Sequence, residues 1–513
     1  MATHAEASPA QQTPLGEYIF RRILDQGIQH IFGVPGDFNL NLLDHIDSVE
    51  GLSWVGTRNE LNGAYAADGY ARTKGLPGVV ITTYGVGELS AINGIGGAMS
   101  EGVPIIHIVG TTSRSAQKNC LMLHHTLGEN RDHNIFRKIS EPISAATAFL
   151  PDDATFTTEV DRVIETCFQV RLPVYLYVPL DTADILVDAA RLSQPLNLWP
   201  DSSKETTMEI VDSIVKRLES AQRPCFLVDL FTQRFGITKE VQELIKPLNI
   251  PGYVTPLGKS ILDENDENFG GLYMGAVTTK KDVKEAIESA DLVVHVGRCP
   301  SDTNCGGFTH KLAEKGTLVG LHPKYVFIGD KRCDEVSLVP VILELAEQVR
   351  AQKPTIQSPG WWRRNSAPAQ SLGPFQGPLQ QRNFWSHFQP YLRENDCIVA
   401  EVGTSQFGTL DLTLPKGSQY YTQIFYSSIG FTVGAALGTL VAQREEGTGG
   451  RCLLFVGDGS LQMAVQEIST MIHNNFKPTI FVINNAGYTV KRVIHAPTRA
   501  YNDIDPWNYQ LML

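Results

Sequence analysis

No two of the eight cysteines stand in a CxxC spacing. They fall at positions 120, 167, 225, 299, 305, 333, 397 and 452, and even Cys299 and Cys305 are too loosely spaced for a zinc knuckle. That pattern argues against a disulfide scaffold and predicts reduced thiols in an intracellular protein. No uninterrupted apolar run approaches the ~20 residues needed to span a bilayer. The opening MATHAEASPAQQTPLGEY has no apolar centre, so neither a membrane span nor a secretory signal is expected. Runs of Lys and Arg are missing too. Net charge is −12 and the pI about 5.6, an acidic surface that repels phosphate backbones, so nucleic acid is not an expected partner. A soluble, cytoplasmic protein is the expectation.

What is there is apolar and regular. Hydrophobic residues make up 42% and charged residues 19% of 513, enough for large cores. At roughly 150 residues per domain, about three domains are predicted. After a loose polar tail over residues 1–13, helix-like and strand-like segments alternate, with Gly or Pro at each switch. LGEYIFRRILDQG is followed by HIFGV, DFNLNLLDHID by SWVGT, ELNGAYAADGYARTKG by GVVITTYG, and ELSAINGIGGAMSEG by PIIHIVG. This predicts an α/β fold with doubly wound parallel sheets. A first domain is assigned to 14–190 and a second, with strands PCFLVDL, IPGYVTP, DLVVHVG and TLVGLHP, to 200–350. Residues 351–380, rich in Pro, Gln and Ser, read as a linker, and a third α/β domain occupies 381–513.

The third domain carries the chemistry. In RCLLFVGDGSLQMAVQEISTMIHNNFKPTIFVINNAGYTV, residues 451–490, two apolar runs each end in small polar residues. LLFV and TIFVIN read as buried strands of a parallel sheet. Apolar positions 461, 465, 468 and 472 have helical spacing between them. In a βαβ crossover the carboxyl ends of both strands face the same way. Asp458 and Asn485, 27 residues apart, would then stand side by side at the edge where open α/β sheets bind ligands. Ser460 helps open the helix, whose free N–H groups favour phosphate, and Gly457 and Gly459 let the backbone approach closely. One carboxylate, one amide oxygen and a nearby carbonyl form a hard oxygen site suited to Mg²⁺. A lone GDG is as readily a turn; its pairing with Asn484-Asn485 at the second strand end is what argues for a ligand.

GDG followed by an NN pair resembles the signature of thiamine diphosphate enzymes. The resemblance implies that Asp458, Asn485 and the Gly487 carbonyl bind Mg²⁺, with Gly459, Ser460 and Tyr488 beside the diphosphate. GVPGDFNLNLLDHI (33–46), TTYGVGELSAINGIGG (82–97) and LMLHHTLG (121–128) narrow this to the pyruvate decarboxylase family and its relatives acting on larger 2-oxo acids. The resemblance spans nearly the whole chain. It implies that Glu60, in RNELNGAYAADGYAR, hydrogen-bonds the aminopyrimidine nitrogen, and that Asp37, His124 and His125 handle protons. Thr404 and Ser427 would contact the cofactor, and Ile429 would prop it in a bent form. The implied reaction is non-oxidative decarboxylation of a 2-oxo acid, most simply pyruvate to acetaldehyde and CO₂, through a thiamine ylid and an enamine. A homodimer or homotetramer with shared sites is implied as well.

Four departures stand out. GYTV is followed by Lys491 where the family has a glutamate, so that role is not transferred and a cation enters the substrate region. Tyr426-Ser427 replaces a Trp-Gly pair, though Ser can present the same carbonyl. Val402 replaces a usual threonine. LVDLFTQRF lacks the regulatory cysteine of some yeast enzymes. Family members also run on past WNYQLML, and an exposed sheet edge is expected here. These features leave open a second reading, a cofactor-binding regulatory paralogue with little turnover. A third, a carboligase of the acetolactate synthase type, is disfavoured by the His124-His125 pair and the lack of an FAD-type signal.

Overall fold

The chain is described here by a computed structural model over residues 12–150, 153–200, 202–362 and 377–511. Most of the predicted tail and residues 363–376 of the predicted linker lie outside them. Gln12–Pro14 departs from the tail expectation: it pairs antiparallel with Leu186–Asp188. The chain divides into two compact units. The first comprises Met1–Pro200, Val433–Gly447 and Ala464–Lys477; the second comprises Asp201–Thr432, Thr448–Met463 and Pro478–Leu513.

The first unit is built on a six-stranded, wholly parallel sheet. Its strands are His30–Gly33 (β1), Ser53–Gly56 (β2), Gly78–Thr83 (β3), Ile105–Thr111 (β4), Ala146–Phe149 (β5) and Val174–Pro179 (β6), in the order β2-β1-β3-β4-β6-β5. β3, β4 and β6 are buried throughout, as continuous apolar runs covered on both faces should be. Helix Glu60–Lys74 (α1) begins at Asn59, whose side chain accepts from Leu61 N–H and Asn62 N–H, and ends at Gly75 in the left-handed region. Helix Val86–Glu101 (α2) follows β3.

The small residues of α1 have a packing purpose. A Cβ on Gly438 would stand 1.8 Å from the Ala66 carbonyl oxygen, and one on Gly69 would stand 2.1 Å from that of Ala435. The two backbones therefore touch, which only glycine permits. Thr73 donates to Thr439, and Tyr70 and Lys74 both reach Glu445.

The second unit holds two sheets. The first contains Pro224–Val228 (β7), Gly252–Val254 (β8), Phe269–Leu272 (β9), Leu292–Val296 (β10), Thr317–His322 (β11), Tyr325–Ile328 (β12) and Lys331–Cys333 (β13), ordered β9-β8-β7-β10-β11-β12-β13. Five strands are parallel; β12 and β13 add an antiparallel hairpin. That hairpin is hard to see in the sequence because KYVFIGDKRC is short and ends in charge. The other sheet, wholly parallel, contains Cys397–Ala400 (β14), Gln419–Tyr421 (β15), Cys452–Gly457 (β16) and Thr479–Ile483 (β17), ordered β15-β14-β16-β17.

Two expectations for the third domain need correction. TIFVI is half-buried along its whole length, because β17 is the sheet's edge among the described residues. The single helix predicted between the two strands is two helices, Asp458–Ala464 and Gln466–His473. The break at Val465 resets the helical phase, so Leu461, Ile468 and Met471 are buried while Ile472 is 56% exposed. All eight cysteines are free thiols, and no helix of the described residues is long and apolar enough to cross a membrane.

Candidate active site

The tips of β16 and β17 lie side by side, with Gly457 registered against Ile483. Asp458 is the next residue, 2% exposed. One carboxylate oxygen accepts the Gly459 N–H at 3.0 Å and the other accepts the Gly487 N–H at 2.9 Å. The second bond joins the two strand tips. A carboxylate offers about four lone-pair positions, so two remain for a cation. Asn485 is half-buried, and its side-chain amide has no hydrogen-bond partner among the described residues. Ala486 and Gly487 both take positive φ, 61° and 120°, which tightens the turn after β17. A carboxylate, an uncommitted amide and turn carbonyls are hard oxygen donors, a set that fits Mg²⁺.

The turn is fixed from behind by Asn502, whose carbonyl accepts the Tyr488 N–H at 2.9 Å. The Tyr488 ring lies over Gly459: a Cβ there would stand 2.6 Å from the ring. Ser460 is buried in the first turn of Asp458–Ala464. Lys491 lies on helix Thr489–Ile494, exposed and without an ion pair among the described residues. Its neighbour Arg492 pairs with Asp503 at 2.7 Å.

At the end of β14, Gly403 (φ 117°) precedes Thr404, the first residue of a short helix ending at Thr409. Ser427 has φ 57°, a left-handed conformation that costs a non-glycine residue roughly 1–2 kcal/mol. The surroundings hold it there. Its N–H donates to the Gln423 carbonyl at 2.9 Å, its hydroxyl to the Ile424 carbonyl at 2.7 Å, and the Ser428 N–H to the Gln423 side chain at 3.1 Å. Ile429 is half-buried beside them. Gln406 and Gln423 are buried, and both polar atoms of the Gln406 amide and the Gln423 Nε2 are without hydrogen-bond partners. Such orphaned groups suit a polar ligand at this edge, because burying them unpaired costs about 1–3 kcal/mol each.

Behind these residues Glu401 is fully buried. Its carboxylate accepts from Gly430 N–H at 3.3 Å, Thr432 N–H at 3.4 Å and the Thr432 hydroxyl at 2.5 Å. Burial raises its pKa to about 7, against the lowering effect of those bonds. Neither Glu401 nor Asn502 is among the residues that the sequence picks out. AEVGT offers a weak signal, an acid at a strand end; Asn502 offers none.

The first unit gathers a second group. His124 Nε2 lies 2.5 Å from an Asp37 carboxylate oxygen, and the Phe38 ring stacks on His124 at 4.9 Å and 19°. His125 has φ 69°, meets His124 edge-on at 4.8 Å, and its buried Nδ1 is unpartnered. Ligand atoms of Asp37, His124 and His125 all fall within 4.8 Å of one another. Glu60 is the first residue of α1, half-buried, with its carboxylate facing Gly87, where a Cβ would be 3.2 Å away. A cavity of about 570 Å³ in the second unit contains none of these residues. Its Lys259 and Glu264 pair with each other at 2.9 Å.

Three family descriptions match the chain. Residues 13–135 match the thiamine pyrophosphate enzyme N-terminal TPP binding domain, 211–349 the central domain, and 401–507 the C-terminal TPP binding domain. Among curated proteins, pyruvate decarboxylase isozyme 3 of Saccharomyces cerevisiae is 42% identical over 506 residues, 97% of this chain and 88% of that protein. The pyruvate decarboxylases of Candida glabrata and Kluyveromyces lactis are each 42% identical over 504 residues, with the same coverage.

Proposed function

The chain belongs to the thiamine pyrophosphate-dependent pyruvate decarboxylase family, and from that premise we propose that it decarboxylates pyruvate non-oxidatively to acetaldehyde and CO₂. It is an α/β carboxy-lyase of 2-oxo acids whose cofactor is thiamine diphosphate, with Mg²⁺ as the usual partner metal. The observation that carries the site assignment is the Asp458–Gly487 bond across two parallel strand tips, beside an uncommitted Asn485.

When bound, the cofactor supplies a carbon nucleophile and an electron sink for the pair left by departing CO₂. The chain supplies position and protons. Asp458, Asn485 and the Gly487 carbonyl hold the metal, with Gly459, Ser460 and Tyr488 against the diphosphate. Thr404 and the Ser427 carbonyl orient the organic part, and Ile429 supports it. Glu60 would face the pyrimidine ring and hold a proton there. Asp37 and His124, already paired, hold and move protons near the substrate, and His125 has a free ring nitrogen for the same work. Phe38 stacking keeps the His124 ring from turning away.

We assign the pyrimidine-binding role to 14–190, a central domain to 200–350, a linker to 351–380 and the diphosphate-binding role to 381–513. We infer that copies of the chain share sites in a homodimer or homotetramer, Glu60 coming from one copy and Asp458 from another. A cytoplasmic location fits the free thiols.

The test is a panel of 2-oxo acids with thiamine diphosphate and Mg²⁺, following CO₂ and aldehyde. Acetaldehyde from pyruvate is the expected product; no CO₂ from any acid would overturn the reading. Lys491 favours a second reading, a cofactor-binding regulator, because its ammonium has no ion pair among the described residues and stands where the family has a carboxylate. Lys491→Glu separates the two. Turnover gained supports the enzyme, whereas cofactor binding with no aldehyde supports the regulator.

A further inference from the structure

We propose that Glu401 is the positioning residue of the cofactor cradle in the second unit, its buried carboxylate locking the Ser427–Thr432 turn onto the end of β14. This rests on the thiamine diphosphate reading of the site.

Glu401 follows β14 directly, and its N–H extends the ladder to the Phe455 carbonyl at 2.9 Å. Its backbone therefore moves with the rigid sheet. Its carbonyl accepts the Gln406 N–H at 3.0 Å, fixing the short helix that starts at Thr404. Its side chain serves a different segment. All three side-chain donors named above come from Gly430 and Thr432, the residues just after Ile429. One residue thus joins three pieces: the strand, the helix bearing Thr404, and the turn bearing Ser427 and Ile429.

The turn requires such a clamp. Ser427 and Gly430 both have positive φ, 57° and 95°. Gln423 restrains the leading end of the turn through its carbonyl and its side chain. Glu401 restrains the trailing end. Strained backbone persists only where surroundings over-determine it. A carboxylate is suited to this because it is acceptor-only and can take several donors at once. In its ionised form its bonds to N–H and O–H are charge-assisted, roughly twice as strong as neutral ones. Burial pushes the Glu401 pKa up to about 7, and no charged neighbour contributes to that shift. The chain tolerates a costly buried carboxylate here, where a neutral amide would be cheaper to bury.

The experiment compares wild type with Glu401→Gln in the full chain, titrating thiamine diphosphate at fixed Mg²⁺ by quenching of intrinsic fluorescence. The glutamine keeps the shape, but its NH₂ faces a donor. Loss of one or two charge-assisted bonds should weaken cofactor affinity by about tenfold or more. The melting temperature of the cofactor-free chain should change little, because β14 and its ladder remain. Glu401→Asp, which keeps the charge, should recover part of the affinity. If Glu401→Gln does not accumulate folded, Thr432→Val tests the same clamp, since it removes only the hydroxyl donor. Unchanged affinity in a folded variant overturns the proposal alone. A wild-type chain that binds no thiamine diphosphate overturns the site reading, and this proposal with it.

Discussion

Asp458 carries two obligations at once. It bonds the Gly487 N–H and is assigned to the metal. Asp458→Asn retains a carbonyl oxygen for the Gly487 N–H but loses the charge that draws a divalent cation. Mg²⁺-dependent cofactor binding should fall by at least about a hundredfold, while stability falls by no more than about 1–2 kcal/mol. Calorimetric titration and urea unfolding read the two separately. Ser427 offers a contrasting test. Glycine there removes the left-handed penalty, but it loosens the unfolded chain by a similar amount and loses the bond to Ile424. Ser427→Gly should be neutral within about 1 kcal/mol. Ser427→Val places a β-branched residue at φ 57° and should cost about 2 kcal/mol or more in urea unfolding. Asp458 is legible in the sequence because two small polar runs at two strand ends are a paired signal. Glu401 is not, because a single acid after an apolar run reads equally well as a solvated turn. Only in the folded chain do three donors converge on it.

At the scale of elements, the helix Asp458–Ala464 and the Asn485–Tyr488 turn meet at one contact. Gly459→Ala drives a Cβ to 2.6 Å from the Tyr488 ring, so the ring must move. Cofactor affinity should drop. In isolation Ala favours a helix over Gly by about 1 kcal/mol, so the double variant Gly459→Ala, Tyr488→Ala should recover stability that the single variant loses. A double-mutant cycle in urea should give a coupling of roughly 0.5–3 kcal/mol; strict additivity would show that the ring has an easy escape. The crossovers are legible element by element, since parallel strands buried on both faces leave unbroken apolar runs. Two features are not. The edge position of β17 depends on strand order, which apolar content does not encode. The break at Val465 has no glycine or proline to announce it, so the periodic pattern runs through it unmarked.

For the whole molecule, fully buried carboxylates such as Glu88 and Glu401 shape the pH response. Glu88 accepts from Ser140 and Tyr177, keeps one oxygen unpartnered, and burial raises its pKa to about 7. Glu401 is raised to about 7 by the same cause. A raised folded pKa means the native state binds the proton more tightly. The stabilisation these groups lend is complete below their unfolded pKa near 4.5 and is lost as pH rises through about 7. The contribution of each group to the unfolding free energy should therefore decline from pH 5 to pH 8, by at most about 3 kcal/mol. Buried histidines such as His107, whose pKa burial lowers to about 3, set the opposite trend. Glu88→Gln should flatten part of that decline; an unchanged slope would show that Glu88 stays charged or stays wet. Carboxylates held low, such as Glu445 beside His30 and Lys74, act in the opposite sense and only at more acid pH. The repeated α/β grammar is readable along the chain, but the composition of the first unit is not. Nothing in a linear pattern marks segments near 440 and 470 as packing partners of a helix that begins at residue 60.

That discontinuity governs how the protein is made. Residues 433–447 and 464–477 complete a unit whose other residues lie within the first 200. On the ribosome, the Ala66–Gly69 face of α1 must wait for Ala435 and Gly438 before it finds the backbone it was shaped to meet. The nascent amino-terminal segment leaves the exit tunnel with that glycine-lined groove open. It stays unfinished until synthesis has passed residue 477, a long interval in which the open face is exposed to association with other chains.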